Sequence, residues 1–311
     1  MSQAVSRGGL GLGNNAVPSE LPLMLLAPAL FAANLVVARW AQGAGMPPVF
    51  LAFGRWALAL LILLPSVGPR MWAQREMLLA NWPRILLLAS LGMGVAVAPQ
   101  YIGVRHTNAA NVAIIFAACP ALVTLIEALV WKAPVSRGQA GGMLLAIVGV
   151  FVVLSKGQVG ALGGIEFGRG DLWVVTAAIG WALYTVFNKR LPLPPLGSTV
   201  KLASLIAGGA LALAPFAALE AWSGAVPDFG DVRLYLALAF LAIVPSLGAY
   251  FFYDRLVAVA GPARASMSLY LIPLFATLAA WPLLHEAPHL YHVAGFGIIL
   301  GGVALSSVRK R

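Results

Sequence analysis

Charge is scarce in this 311-residue sequence. Asp, Glu, Lys and Arg make up 10% of it, against ~25% in an ordinary soluble domain. That shortage excludes a typical water-soluble surface. Cysteine is scarcer still: Cys119 stands alone inside an apolar run, so the chain can form neither an internal disulfide nor a Cys-based metal site. Acidic residues are half as frequent as basic ones, 10 against 20. There is no GxxxxGK phosphate loop, hence no ATPase built into the chain. HExxH, GxSxG and a convincing cluster of acidic metal ligands are also missing, which leaves an intramembrane enzyme without visible machinery. No loop is long enough to hold a soluble catalytic domain.

Apolar sequence is what the chain has in quantity. It is 61% hydrophobic, with mean hydropathy +0.90. Runs of about 20 residues, each able to cross ~30 Å of hydrocarbon, predict an all-α membrane protein of ten transmembrane helices. The expected spans are 22–41, 47–65, 83–104, 108–131, 138–155, 171–190, 197–218, 232–256, 262–284 and 290–308. Residues 1–21 read as a Gly-rich mobile tail, and the run from Pro22 is too long for a signal-peptide core. The longest loop, 156–170, reads as a Gly-rich linker, and 309–311 is a basic tail.

The basic residues sit in short loops rather than on one face, so they speak of membrane orientation and not of nucleic acid. With a cytoplasmic N-terminus, 14 fall inside and 5 outside, the latter being Arg39, Arg105, Lys156, Arg169 and Arg233. That split predicts both termini inside.

The sequence also repeats itself. A shift of 153 brings Val104 onto Val257, Ala110 onto Ala263, Pro120 onto Pro273, and Gly142, Gly149 and Val150 onto Gly295, Gly302 and Val303. A shift of 150 lays LFAANLVVAR over GWALYTVFNK. Two five-span copies, 22–155 and 171–308, follow. Five is odd, so the second copy enters the membrane upside down relative to the first, an inverted repeat.

GPARASMSLYLIPLFATLAAWPLLHE (Gly261–Glu286) and the Gly-rich HVAGFGIILGGVAL, echoed by TNAANVAIIFAACPALVTLIEALVW and GQAGGMLLAIVGVFVVL, carry a resemblance. So does the Arg after an aromatic in AFGRW. The chain resembles the drug/metabolite transporter superfamily in its ten-helix EamA-type branch, above all the bacterial exporters of aromatic and other neutral amino acids. One departure is Asn111, where the second copy has Arg264. The resemblance implies ten helices and alternating access; an inner-membrane location and no cofactor are the further expectations.

Candidate substrate-binding residues come from helical spacing of polar and aromatic residues within spans. The ninth span offers Ser266, Tyr270, Pro273 and Thr277; the eighth, Ser246, Tyr250 and Tyr253; the sixth, Trp181, Tyr184 and Asn188. Asn34 and Gln100 are the copy-partners of Tyr184 and Tyr253, and Asn111 lies on the fourth span. These groups are costly against lipid, so they should face inward around a central cavity. The opposing reading is that Ser, Thr and Asn bridge helices while Tyr and Trp anchor at the interface. Neutral, aromatic and hydroxyl-rich walls suit a small amphipathic solute of no net charge.

Arg55 lies about eight residues from one end of its span and ten from the other. A lone charge at that depth costs at least ~2.5 kcal/mol, so it should face protein or water. It meets either a substrate carboxylate, or helix-end carbonyls or Glu127. Pro120 and Pro273 remove backbone bonds at matched points and read as gating kinks or static bends. The Gly-rich fifth and tenth spans read as packing faces. HEAPHLYH (His285–His292) is broken by Pro288 and reads as an external turn, not a metal site; DFGD at 228–231 reads as coincidence.

Taken together, the sequence predicts an exporter of amino acids or similar metabolites, working by facilitated alternating access. A proton-coupled drug or metabolite exporter and a lipid-modifying enzyme are the alternatives. The expected partners are the small-molecule substrate and the lipid bilayer; the expected state is a monomer or weak homodimer.

Overall fold

The computed structural model describes residues 20–107, 109–155, 158, 168–276, 278 and 289–307. Most of the N-terminal tail and of the 156–170 linker, Thr277, the His285–Pro288 half of the histidine motif and the basic C-terminal tail lie outside them. Every regular element among the described residues is helical.

Among the described residues six helices are long and apolar enough to cross a membrane: α1 (Glu20–Gly43), α2 (Pro48–Ala73), α3 (Trp82–Val104), then, after three shorter helices, α7 (Arg169–Arg190), α8 (Ser198–Trp222) and α9 (Val232–Ala260). The shorter ones are α4 (Ala109–Ala117), α5 (Cys119–Trp131) and α6 (Arg137–Leu154). A short helix, Arg75–Ala80, links α2 to α3; later come α10 (Pro262–Met267), which runs on through a 3-10 turn (Ser268–Leu271) into helical residues 272–276, and α11 (Leu290–Ser307). Among the described residues, six of the ten expected spans are full-length helices and the others are shorter or interrupted, the ninth, 262–284, being described only in part.

The outer surface is what a bilayer demands. Leu61, Leu144, Leu172, Leu211 and Phe216 are all exposed, which is tolerable against acyl chains and not against water. Trp40, Trp72, Trp82, Trp173 and Trp222 are exposed too, each within a few residues of a helix end. Amphipathic indoles favour that headgroup level. Trp56 and Trp181, near the middles of their helices, are buried.

Polar backbone inside hydrocarbon has to be satisfied internally, and this chain departs from ideal helix at matched places. π-helical segments interrupt α3 at Ser90–Val95 and α9 at Ala242–Ala249. The shift of 153 carries the first into the second. The fourth run breaks at Ala118, just before Pro120 in the first turn of α5. The ninth run passes through 3-10 geometry just before Pro273. Each proline therefore follows a break and sits where its missing N–H costs least.

Packing shows the same reciprocity: α3 lies on α7 and α1 lies on α9, while α2 pairs with α8 and α6 with α11. The last pair is the tightest. A Cβ on Gly142 would stand 2.5 Å from the Gly302 carbonyl oxygen, and one on Gly149 would stand 2.7 Å from that of Gly295. Only glycine permits such backbone approach.

Candidate functional site

α2 carries Arg55 into the interior, where it is 1% exposed. Its Nε donates to Ser246 Oγ at 2.7 Å, and its Nη1 donates to Asn34 Oδ1 at 2.8 Å and Tyr101 Oη at 2.7 Å. Tyr101 in turn donates to Asn34 Oδ1 at 2.7 Å. The guanidinium also lies over the ring of Trp56, 4.6 Å from its centroid, an attraction that strengthens in a desolvated site. Three helices besides α2 thus converge on one cation: α1, α3 and α9. All its partners are formally neutral. Among the described residues no carboxylate lies within ion-pair reach, and Nη2 has no hydrogen-bond acceptor.

The sequence left Arg55 a structural partner in Glu127 or in helix-end carbonyls. Neither holds it. Both oxygens of Glu127 accept from Arg190, each at 2.8 Å. The cation is held instead by side chains from three other helices.

Beside Arg55 lies an aromatic cluster. Phe31, Trp56, Trp181, Tyr184, Tyr250 and Tyr253 meet with ring centroids 4.9–6.0 Å apart. Edge-to-face contacts predominate, the favoured geometry for ring quadrupoles. The π segment of α3 explains how their polar tips are met. Its altered register leaves carbonyls for side chains: Tyr250 donates to the Gly92 oxygen, and Trp56 Nε1 donates to that of Met93 at 2.9 Å. Ser246 returns a bond to the Leu241 carbonyl within the other π segment's neighbourhood, at 2.6 Å. In this conformation the rings meet one another instead of lining the open hollow expected from the sequence.

Seven of the candidates thus come together: Asn34, Arg55, Trp181, Tyr184, Ser246, Tyr250 and Tyr253. The others go elsewhere. Asn111 lies at the far end of the bundle, donating to Asp171 Oδ2 at 3.1 Å. Gln100 is buried next to Tyr101 but takes no part in the Arg55 network. Ser266 is spent on the Ala263 carbonyl in its own helix, at 2.9 Å. Tyr270 is 1% exposed, and its hydroxyl has no partner among the described residues. Pro120 and Pro273 follow helix breaks, as described above.

Three members were missed. Tyr101 is the residue after Gln100, Trp56 the residue after Arg55, and Phe31 one turn before Asn34. The i, i+3 spacing from Phe31 to Asn34 was a usable signal; an apolar ring simply gave no reason to look.

At the Lys/Arg-rich end the interior is less tightly shut. Lys201 pairs with Asp254 at 2.9 Å, and Asn188 donates to the same carboxylate at 2.5 Å. A small cavity of about 60 Å³ beneath them reaches Tyr184. A larger one, about 190 Å³, opens between α5 and the turn joining α9 to α10.

Known proteins agree with this architecture. The EamA-like transporter family matches residues 19–155 and again 168–308. An uncharacterized transporter of Archaeoglobus fulgidus is 26% identical over 85% of this chain and 89% of its own length. The uncharacterized transporter YyaM of Bacillus subtilis is 22% identical over 92% of each chain. An S-adenosylmethionine/S-adenosylhomocysteine transporter of Chlamydia muridarum is 23% identical over 91% of this chain and 90% of its own. One solved crystal structure superposes with a TM-score of 0.72 at 21% identity, covering 93% of this chain and 96% of that one; the likeness is one of fold.

Proposed function

From the premise that the chain belongs to the EamA-like transporter family, we propose that it exports small, amphipathic, net-neutral solutes, amino acids above all, by alternating access. The two matched segments act as inverted five-helix copies in a bacterial inner membrane, with both termini cytoplasmic.

One observation carries the solute class. Arg55 is a buried cation with neutral partners, a free Nη2 and aromatic neighbours. A buried charge without a counter-ion costs several kcal/mol. A ligand carboxylate would supply the missing anion, and the rings would take an apolar or aromatic side chain. When the rings part, these same residues would line the central cavity. Transport is facilitated on this reading: among the described residues the central cluster holds no carboxylate and no histidine to carry a coupling proton.

The Chlamydia relative named for S-adenosylmethionine sharpens the range. That molecule ends in an amino acid and carries a purine, which six clustered rings would also suit, but its sulfonium makes it a net cation, so it tests the net-neutral limit of the proposal.

The test is uptake of labelled phenylalanine, threonine, methionine and S-adenosylmethionine into liposomes, with and without a pH gradient. Arg55→Gln, checked for folding by thermal unfolding, should cut amino-acid transport at least tenfold. Arg55→Lys should lose part of it, because an ammonium cannot reproduce the fork. Wild-type rates in a folded Arg55→Gln protein would exclude carboxylate contact.

A further inference from the structure

The 190 Å³ cavity at the Lys/Arg-rich end lies apart from the Arg55 cluster. α5 supplies Thr124 and Glu127, the first turn of α6 supplies Gln139, the α9–α10 turn supplies Gly261, and the start of α10 supplies Ala263 and Arg264. The turn is possible because Gly261 takes φ +83°, a conformation open to a residue without Cβ. An engineered apolar cavity of about 150 Å³ accepts benzene, so this one has room for an amino acid with a small side chain.

Two features set its chemistry. First, the Thr124 hydroxyl is buried, the residue being 3% exposed, and has no hydrogen-bond partner among the described residues. A buried hydroxyl without a partner is unfavourable, and this one belongs to a residue of the cavity wall. Second, the charged groups on the walls are each backed by a partner of opposite sign. Arg264 is paired with Glu20 at 3.1 Å, and Glu127 with Arg190 at 2.8 Å. By their contacts the charges alternate in sign, Glu20 with Arg264 and Glu127 with Arg190, and only Arg264 and Glu127 of the four line the cavity. An anion would be drawn to Arg264 and repelled by Glu127; a cation would meet the reverse. A zwitterion laid between them, carboxylate toward Arg264 and ammonium toward Glu127 and Thr124, continues the alternation without a clash.

We propose that this cavity is a second binding site, selective for a small zwitterion such as a free amino acid. It shares with the proposed function only the premise that amino acids are the solutes, and it does not involve Arg55. On the cytoplasmic side it would load solute before the central site receives it.

Equilibrium binding of labelled threonine to the full chain in nanodiscs tests this, with thermal unfolding run on every variant. Wild type should show two sites. Ala263→Leu, which fills the cavity, should remove one. Thr124→Val, which keeps the volume and drops the hydroxyl, should weaken that site about tenfold. Arg55→Gln should keep it. Unlabelled alanine should compete there at concentrations where propionate and propylamine do not.

If Ala263→Leu and Thr124→Val bind as wild type does while Arg55→Gln loses binding, the cavity inference is overturned and the Arg55 reading stands. If Arg55→Gln leaves both binding and liposome uptake intact while Ala263→Leu loses the site, the cavity stands and the Arg55 reading falls. Absence of any threonine binding by folded wild type overturns the inference whatever uptake shows.

Discussion

At one end of the molecule, Asp171 at the head of α7 takes hydrogen bonds from Thr107, from Asn111 and from the Gly168 backbone N–H. At the other, Glu20 at the head of α1 meets Arg264 of α10 at 3.1 Å. The shift of 153 pairs Asn111 with Arg264. The shift of 150 sets Asp171 on Leu21, one residue from Glu20. The same junction is therefore latched in each copy, by different chemistry. Asp171 is 3% exposed with three donors around it, whereas the Arg264 and Glu20 side chains are 26% and 32% exposed. A buried carboxylate with charge-assisted bonds is hard to release; a half-exposed ion pair contributes ~0–1 kcal/mol. The difference predicts that, of these two latches, the one at the Lys/Arg-rich end releases more readily in this conformation.

The strongest way to break that comparison is Asp171→Ala. It strands the Thr107 hydroxyl and the Asn111 amide without their acceptor, at a cost on the order of 3 kcal/mol. Tm in detergent should fall by several degrees, far more than for Glu20→Ala. Equal losses from the two would mean that the latches are equivalent after all. Asn111→Ala removes one donor of three and should cost about 1 kcal/mol, measured the same way. A loss as large as that of Asp171→Ala would show that Asn111 carries the whole latch.

The apolar runs and the depth of Arg55 were legible in the sequence because hydrocarbon imposes both. So were the aromatic stripes of α7 and α9, since a 3.6-residue period fixes which residues share a face. What faces what was not legible. Asn111 was grouped with the central residues as a polar residue within the fourth span, yet inversion sends matched positions to opposite ends of the bundle. Glu127 was offered to Arg55 as the one acid deep in a span, but Arg190 from α7 reaches it first. The π segments left no trace in the side-chain pattern, since each is a backbone register change that releases carbonyls such as Gly92 and Met93. Tyr101 enters the Arg55 network because the end of α3 turns toward α1 and α2, a tertiary fact that no window on one helix contains.

The smallest expected effect is also the one that best separates the two latches. Glu20→Gln should cost no more than ~1 kcal/mol, and that cost should depend on salt. At 0.1 M ionic strength the screening length is about 10 Å; at 1 M it is about 3 Å. The half-exposed Glu20–Arg264 pair lies within reach of that screening, so the Tm difference between wild type and Glu20→Gln should shrink toward zero as salt rises. Asp171 is 3% exposed and held by three donors, and the deficit of Asp171→Ala should persist at 1 M. A Glu20 effect that survives high salt would mean that the pair is desolvated in the membrane-embedded protein, and the Lys/Arg-rich end would then be latched as firmly as its counterpart.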